Sequence, residues 1–437
     1  MSHAAASFRH GVHPEEHKEA TEHLPIERMP FVDQYILPLS QHIGAPSRAV
    51  VSTGQKVKRG QVLATAGGFV SVPLHAPVTG TVESIEKRPH PNGQLMQSIV
   101  LKTDPFASQR WEPQDVGNPE DLYGPFLIGN IQNSGMVGLG GAAFPSHVKL
   151  AVPQNKRVQF VILNGCECEP FLTCDHRVMV EQADAIIDGL RILMKQVKAV
   201  KGYIGIEENK PDAIAMLKRA AKDDFQIEIV PLHVKYPQGA EKMLVDAILK
   251  KEVPAGGLPL DLEMVVNNVA TAACISEYFK TGIPLIERAV TITGTGIGTP
   301  KNLLIPIGTP LIEVLKFCQA DFENLKQVIL GGPMMGMAQK TLDVPVIKGT
   351  SGILAFKEIL APIQEEQPCI RCGRCLTACP MFLNPSALHF FVRNGRIEEL
   401  KSHHMADCFE CGSCSFTCPS NIPLAQLMRV GKAMLRQ

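Results

Sequence analysis

Eight of the thirteen cysteines fall in the last 70 residues, in two runs of the same form. The first is Cys369, Cys372, Cys375 and Cys379-Pro380; the second is Cys408, Cys411, Cys414 and Cys418-Pro419. Both read C-x2-C-x2-C-x3-C-P, the spacing with which bacterial chains hold [4Fe–4S] clusters. Two residues between thiolates let the backbone curl until three sulfurs grip three corners of one cube. Gly373 and Gly412 ease that wrap, and the proline stops the turn and steers the fourth cysteine away. In such pairs the fourth cysteine serves the other cluster. The spacing therefore assigns Cys369, Cys372, Cys375 and Cys418 to one cluster, and Cys379, Cys408, Cys411 and Cys414 to the other. A pair of zinc ribbons would use two CxxC pairs and leave a third and fourth cysteine with a proline unexplained. The chemistry is one-electron transfer.

A second group of residues suits an anionic ligand. Gly135, Gly138, Gly140 and Gly141 precede Phe144, Pro145 and Lys149. Small residues let several backbone N–H groups converge on a phosphate, and Lys149 adds positive charge. A plain turn is the competing reading, and the pattern is not the dinucleotide GxGxxG. Asn164 ends a buried-strand run, Val158–Asn164, and Cys166, Glu167, Cys168 and Glu169 follow it, where sites form on α/β sheets. Their amide and carboxylates suit a heterocycle or a ribityl chain; the alternative is a polar loop capping the next helix. Gly239 and Glu241, then Asn267, Asn268 and Thr271, add polar groups at further element ends. Glu241 equally fits a first-turn glutamate facing a helix dipole, and the asparagines an ordinary turn. Cys168, Cys174, Cys274 and Cys318 read as buried thiols without a ligand role.

The elements that must position these groups divide the chain into five parts. Residues 1–30 form a polar arm whose His3, His10, His13, His17 and His23 have no zinc-type spacing, so a solvated or partner-binding arm is expected. Residues 31–110 alternate in short glycine-bounded runs, a small β barrel-sandwich similar to biotinyl and lipoyl carriers. Residues 61–86 contain no lysine to carry such a group. Residues 120–285 alternate strand and helix, with one helix expected over Val178–Val197 and another at Lys210–Lys222, so a parallel, Rossmann-like sheet covered by helices is predicted. Residues 286–357 return to short strands with a helix near Pro310–Gln319 capped by Thr309. Residues 358–437 begin with a linker, 358–368, and continue as an α-helical ferredoxin-type domain with a helix over Ser386–Leu400. Its last apolar stripe, Ile422, Leu424, Leu427, Val430 and Met434, fits packing onto that module.

Composition excludes several function classes. Lysine plus arginine balances aspartate plus glutamate at 43 each, and aromatic residues make up 5%. No nucleic-acid partner follows from such a surface. No apolar run reaches membrane-span length, and the polar start is no secretory signal. A cytoplasmic chain is expected.

The order of these motifs resembles the C-subunit family (RnfC/RsxC) of Rnf ion-translocating electron-transport complexes. That family is similar to the flavin-bearing NADH-oxidising subunit of respiratory complex I. The residues carrying the resemblance are Gly11–Pro14, Pro38–Pro46, Gly138–Leu150, Asn164–Arg177, Tyr236–Lys242, Gly331–Gly336 and both cysteine runs. The resemblance implies FMN, NADH as substrate and two [4Fe–4S] clusters. It implies Gly138, Gly140 and Lys149 at the flavin phosphate, Asn164, Glu167 and Glu169 along the flavin, and Gly239, Asn267, Asn268 and Thr271 continuing the site, with Glu241 near the nicotinamide. It implies a β-grasp ligand-binding domain from residue 286, membrane-embedded proteins as partners, and a peripheral place on the cytoplasmic face of the membrane. The complex I relative has arginine where Leu139 stands and acidic residues where Cys166 and Ala240 stand. A flavin/iron–sulfur cobalamin reductase of the microcompartment type is the rival resemblance, and a non-catalytic cluster relay the rival function.

Overall fold

In the computed structural model, which describes residues 6–360 and 364–436, burial follows the strand and helix periods of the sequence. His3 of the arm, Ala361, Pro362 and Ile363 of the expected linker, and Gln437 lie outside the described residues.

The arm supplies β1 (Ile26–Arg28). Seven short strands follow: β2 (Gln34–Pro38), β3 (Arg48–Ala49), β4 (Lys56–Val57), β5 (Val62–Thr65), β6 (Leu74–His75), β7 (Gly80–Pro89) and β8 (Leu95–Thr103). They form two antiparallel sheets, β2-β8-β7-β4 and β3-β5-β6. Every second residue points inward, so Leu63, Leu74, Val82 and Leu101 fill a shared core.

The central unit begins with α1 (Pro125–Asn133) and α2 (Ser146–Leu150). It continues with β9 (Phe160–Asn164), α3 (Cys174–Glu181), α4 (Ala183–Val197), β10 (Lys201–Glu207), α5 (Pro211–Ala220), β11 (Ile227–Leu232), α6 (Glu241–Leu249), β12 (Met264–Asn268) and α7 (Val269–Thr281). The four strands are parallel, in the order β11-β10-β9-β12. The single helix expected over Val178–Val197 is in fact the end of α3 and all of α4, divided at Gln182, whose φ of −126° and ψ of 32° are not helical. Both pieces carry apolar residues at helical spacing, so the break leaves no mark on the pattern.

The third unit holds β13 (Glu287–Thr293), β14 (Lys301–Pro306), α8 (Leu311–Phe317), β15 (Gln327–Leu330), β16 (Met337–Ala338) and β17 (Gly352–Phe356). Its mixed sheet runs β1-β14-β13-β17-β15-β16. The arm is therefore not simply solvated: β1 pairs in parallel with β14 at the sheet edge. Thr309 does not cap α8. Its hydroxyl donates to the Pro306 carbonyl, and Pro310 takes the N-cap position.

The C-terminal unit contains α9 (Arg374–Ala378), α10 (Pro385–Arg393), α11 (Ile397–Ser402), α12 (Ser413–Phe416) and α13 (Leu424–Met434). The helix expected over Ser386–Leu400 is broken at Asn394-Gly395, where Gly395 has a φ of 64°. Leu388, Val392, Leu400, Met405 and Met428 make its small core. Ile422 and Leu424 are buried, Leu427 and Met434 pack against that core, and Val430 alone of the stripe is exposed.

Candidate functional site

The parallel sheet fixes where a ligand can sit. From β9 the chain steps outward to β10 and β11, then returns across β9 to lay down β12 on its other side. The connections leaving β9 and β12 thus diverge, and a crevice opens beyond their carboxyl ends. Asn164 ends β9 and Asn268 ends β12, directly opposite each other in register.

The glycine loop lies against this crevice. A side-chain carbon at Gly140 would stand 3.4 Å from Asn268 Nδ2, so the loop backbone rests on that residue. The Leu139 N–H donates to Thr271 Oγ1 at 2.9 Å, and Gly138 N–H donates to the Phe144 carbonyl at 2.8 Å. Asn268 Oδ1 accepts from the Ala270 and Thr271 amides and caps α7, while its Nδ2 donates to Asp175 Oδ2 at 2.6 Å. Lys149, from α2, reaches across to the Val266 carbonyl at 2.9 Å and to the carboxylate of Glu241, the first residue of α6. Lys149 and Glu241, expected at the phosphate and near the nicotinamide, therefore meet at one rim. Asn164 Nδ2 donates to the Gly239 carbonyl at 2.8 Å, which brings the 236–239 loop over the end of β9. Asn267 Nδ2 and both polar atoms of the Gln238 side chain are buried without a protein partner. Buried amides of this kind require a further hydrogen-bonding group. Together with the glycine loop and Lys149, they fit an elongated ligand with an anionic end and polar ring edges, as FMN is.

The carboxylates of the 164–172 loop have structural tasks. Glu167 accepts from the Asp175 and His176 amides at 2.9 and 3.2 Å, capping α3. Glu169 accepts from the Met334 and Met335 amides, both at 2.9 Å, and so ties the loop to the third unit. Both carboxylates, expected along the flavin, spend their oxygens on otherwise unpaired helix and turn amides. Burial pushes the Glu169 carboxyl up to about 7 against those two hydrogen bonds. Burial, with the nearby Glu167 carboxylate, raises Asp175 as well.

Three residues that sequence reasoning passes over brace the loops around the crevice. Lys18 of the arm is buried and donates to the carbonyls of Glu167, Glu169 and Leu172. Nothing marks a lone lysine in a polar arm for a partner 149 residues away. Asp175 sits among the residues that carry the family resemblance, without a role of its own in it. Arg288 is buried and donates to the carbonyls of Leu139 and Lys348. An arginine next to the apolar pair Ala289-Val290 of strand β13 is the available signal.

The cysteines gather in two hollows. Cys369, Cys372, Cys375 and Cys418 line one, with Ser386 and His389 on its wall. Cys379, Cys408, Cys411 and Cys414 line another. The two sets coincide with the crossed grouping drawn from the spacing. The second hollow adjoins the crevice: Tyr236 Oη donates to the Cys411 carbonyl at 2.7 Å, and Cys168 packs with Tyr236, Met334 and Cys411. Of the eight, Cys369 and Cys372 are the exposed ones.

Comparison with known proteins adds the family. Residues 6–105 match the RnfC barrel sandwich hybrid domain, residues 131–277 the Nuo51 FMN-binding domain, and residues 365–422 a 4Fe-4S dicluster domain. The chain is 45% identical to the C subunit of the proton-translocating ferredoxin:NAD(+) oxidoreductase complex of Clostridium ljungdahlii, over 91% of this chain and 87% of that one. It is 43% identical to the Na(+)-translocating counterpart of Acetobacterium woodii, over 98% of this chain and 96% of that one. The chain belongs to the C-subunit family of ion-translocating ferredoxin:NAD(+) oxidoreductase complexes. This RnfC-family chain also superimposes on a chain of an NAD+-reducing [NiFe]-hydrogenase at 16% identity and a TM-score of 0.49, covering 73% of this chain and 61% of that one. At that level the likeness adds nothing to the fold already described. Among the described residues no helix is long and apolar enough to cross a membrane.

Proposed function

We propose that the chain is the NAD(H)-linked electron-relay component of a membrane-bound ion-translocating complex, with FMN in the β9/β12 crevice and a [4Fe–4S] cluster in each cysteine hollow. One observation carries the reading. The 236–239 loop touches both places, its Gly239 carbonyl bound to Asn164 at the crevice and its Tyr236 hydroxyl bound to the Cys411 carbonyl. A ligand in the crevice and a cluster at Cys411 are then neighbours.

Bound FMN supplies the conversion between the two-electron hydride of NADH and the one-electron steps of the clusters. The chain's residues do the rest. Gly138 and Gly140 bring the loop backbone close to the phosphate end, where Lys149 offers its ammonium in competition with Glu241. Asn164, Gly239, Asn267 and Asn268 line the crevice, and Thr271 holds the loop by the Leu139 amide. Glu167 and Glu169 act as braced walls rather than free ligands. Cys379, Cys408, Cys411 and Cys414 hold the inner cluster; Cys369, Cys372, Cys375 and Cys418 hold the outer one, whose exposed edge is the outlet towards membrane partners. The five-part division of the chain is kept in this reading, with the arm contributing β1 to the mixed sheet of the third unit. The third unit, one helix packed on a mixed sheet, is read as a β-grasp domain. A peripheral position on the cytoplasmic face of the membrane belongs to the same proposal; the relatives' names support only membership of an ion-translocating complex. Those names do not favour the cobalamin-reductase alternative.

Anaerobically prepared full-length protein tests this directly. About one FMN and eight irons per chain are expected, with NADH bleaching the flavin and a reduced-cluster paramagnetic signal following. Zinc in place of iron, or iron without flavin, would sink the proposal.

A further inference from the structure

Segment 8–24 runs across three units of the fold with no helix of its own. At one end, Gly11 N–H donates to the Ala378 carbonyl at 3.2 Å and His10 Nδ1 lies 3.0 Å from the Cys379 carbonyl, with the His10 ring against Phe382. In the middle, Val12 and Tyr236 exchange both backbone hydrogen bonds, at 2.8 and 2.9 Å. At the other end, Lys18 binds three carbonyls of the 167–172 loop, and Thr21 Oγ1 meets Thr173 Oγ1 at 2.8 Å. Phe8, Val12, Lys18 and Thr21 are all buried. Such burial is out of place in a loose terminal arm, which tolerates change where it is not tied down.

We propose that residues 8–24 are an intramolecular strap that sets the spacing between the flavin crevice and the inner cysteine hollow. Gly11 and His10 position the hollow, and Lys18 positions the crevice loop. The inference rests on the cofactor assignment above. The seven Cα–Cα steps from Gly11 to Lys18 span at most about 25 Å, so slack at either anchor changes the separation they fix. Electron transfer falls off steeply with separation, so a small shift in spacing is a large change in rate. Gly11 is suited to its place by two constraints. Its φ is +88°, and a Cβ there would stand 2.6 Å from the Tyr236 carbonyl oxygen and 3.1 Å from both Lys235 and Phe8. Lys18 is an expensive anchor, since burial lowers its proton affinity. Its three carbonyl partners, two of them on the residues that brace the crevice, offset that cost.

Full-length protein reconstituted with FMN, iron and sulfide tests the strap through Gly11→Ala, His10→Ala and Lys18→Met. The measurements are flavin affinity, the rate of flavin bleaching by NADH, the rate at which the reduced-cluster signal appears, and amide hydrogen exchange. In Gly11→Ala, bleaching should keep its wild-type rate while cluster reduction slows about tenfold or more, and exchange at Tyr236 and Cys379 should quicken. In Lys18→Met, flavin should bind about 10- to 100-fold more weakly, exchange over 167–172 should quicken, and clusters reduced by dithionite should be unchanged. If Gly11→Ala fails to fold, His10→Ala decides, with the same slowing of cluster reduction expected. Wild-type cluster reduction and exchange in the foldable one of these two variants, or wild-type flavin affinity in Lys18→Met, overturns the strap. Failure of the functional reading looks different: the wild-type protein itself would hold no flavin, while the exchange measurements would still report on the strap.

Discussion

The two cysteine hollows share a local design and differ in their surroundings. Gly373 and Gly412 both take left-handed φ, 77° and 82°, and each is followed by a short helix, α9 and α12. Yet one hollow shows Cys369 and Cys372 to solvent, while the other is closed in by Tyr236, His10 and the 334 loop. Lys432 from α13 also donates to the Cys408 carbonyl at 2.9 Å. Identical spacing makes two similar nests; contacts from residues far away in sequence enclose one and leave the other open, the difference that the proposed relay uses as inner station and outlet.

The most severe test of that difference removes one ligand from each. Cys411→Ser should leave NADH able to bleach the flavin but should abolish reduction of the outer cluster, since the inner step is lost. Cys372→Ser should leave reduction of the inner cluster by NADH intact. Rapid-freeze paramagnetic resonance after NADH addition reads both. Identical behaviour of the two variants would show that inner and outer are not distinct.

A smaller effect is expected on the crevice side. Lys149→Ala removes an ammonium beside the glycine loop, a charge-assisted contact of about 1.5–3 kcal/mol, so FMN should bind about 10- to 150-fold more weakly. Equilibrium dialysis measures it, and both clusters should remain reducible by dithionite. Loss of both clusters along with the flavin would mean that Lys149 supports the whole structure rather than the crevice.

Milder still is a kinetic contrast. An iron chelator under mild oxidation should reach the exposed outer cluster first, so iron should leave in two phases of about equal size. Single-phase loss would argue that the inner hollow is as open as the outer one.

The cysteine region and the crevice are unequally legible in the sequence. The nests are built by residues two or three apart, so spacing alone groups all eight cysteines as the structure does. The crevice is built by strand order, which no local pattern carries. Asn164 and Asn268 are over a hundred positions apart and meet only because β12 returns to the side of β9. The arm misleads because polar, histidine-rich composition suggests solvation. Its burial comes instead from backbone pairing at Val12 and from Lys18, whose partners are main-chain carbonyls without sequence identity. The broken helices at Gln182 and Gly395 are invisible for the opposite reason: the apolar period continues through each break.

Glu169 offers the finest test, because it braces the inner side, whereas among the described residues no carboxylate lines the outer hollow. Its oxygens hold the Met334 and Met335 amides, and the Met334 carbonyl lies against Gly412 of the inner nest. Burial raises this carboxyl from an ordinary 4.5 to about 7, so the folded chain binds its proton more tightly than the unfolded chain. The resulting stabilisation is fully present below pH 4.5 and is lost as pH rises through 7. Between about pH 5 and 7.5 the wild-type melting temperature should therefore fall relative to that of Glu169→Gln, whose side chain does not titrate, by a few degrees. Melting curves in matched buffers measure the difference, and parallel pH dependences for the two proteins would mean that Glu169 is ionised throughout, held by its two amides against the cost of burial. The outer hollow supplies the control: Ser386→Ala, on its wall, should melt with the wild-type pH dependence across the same range.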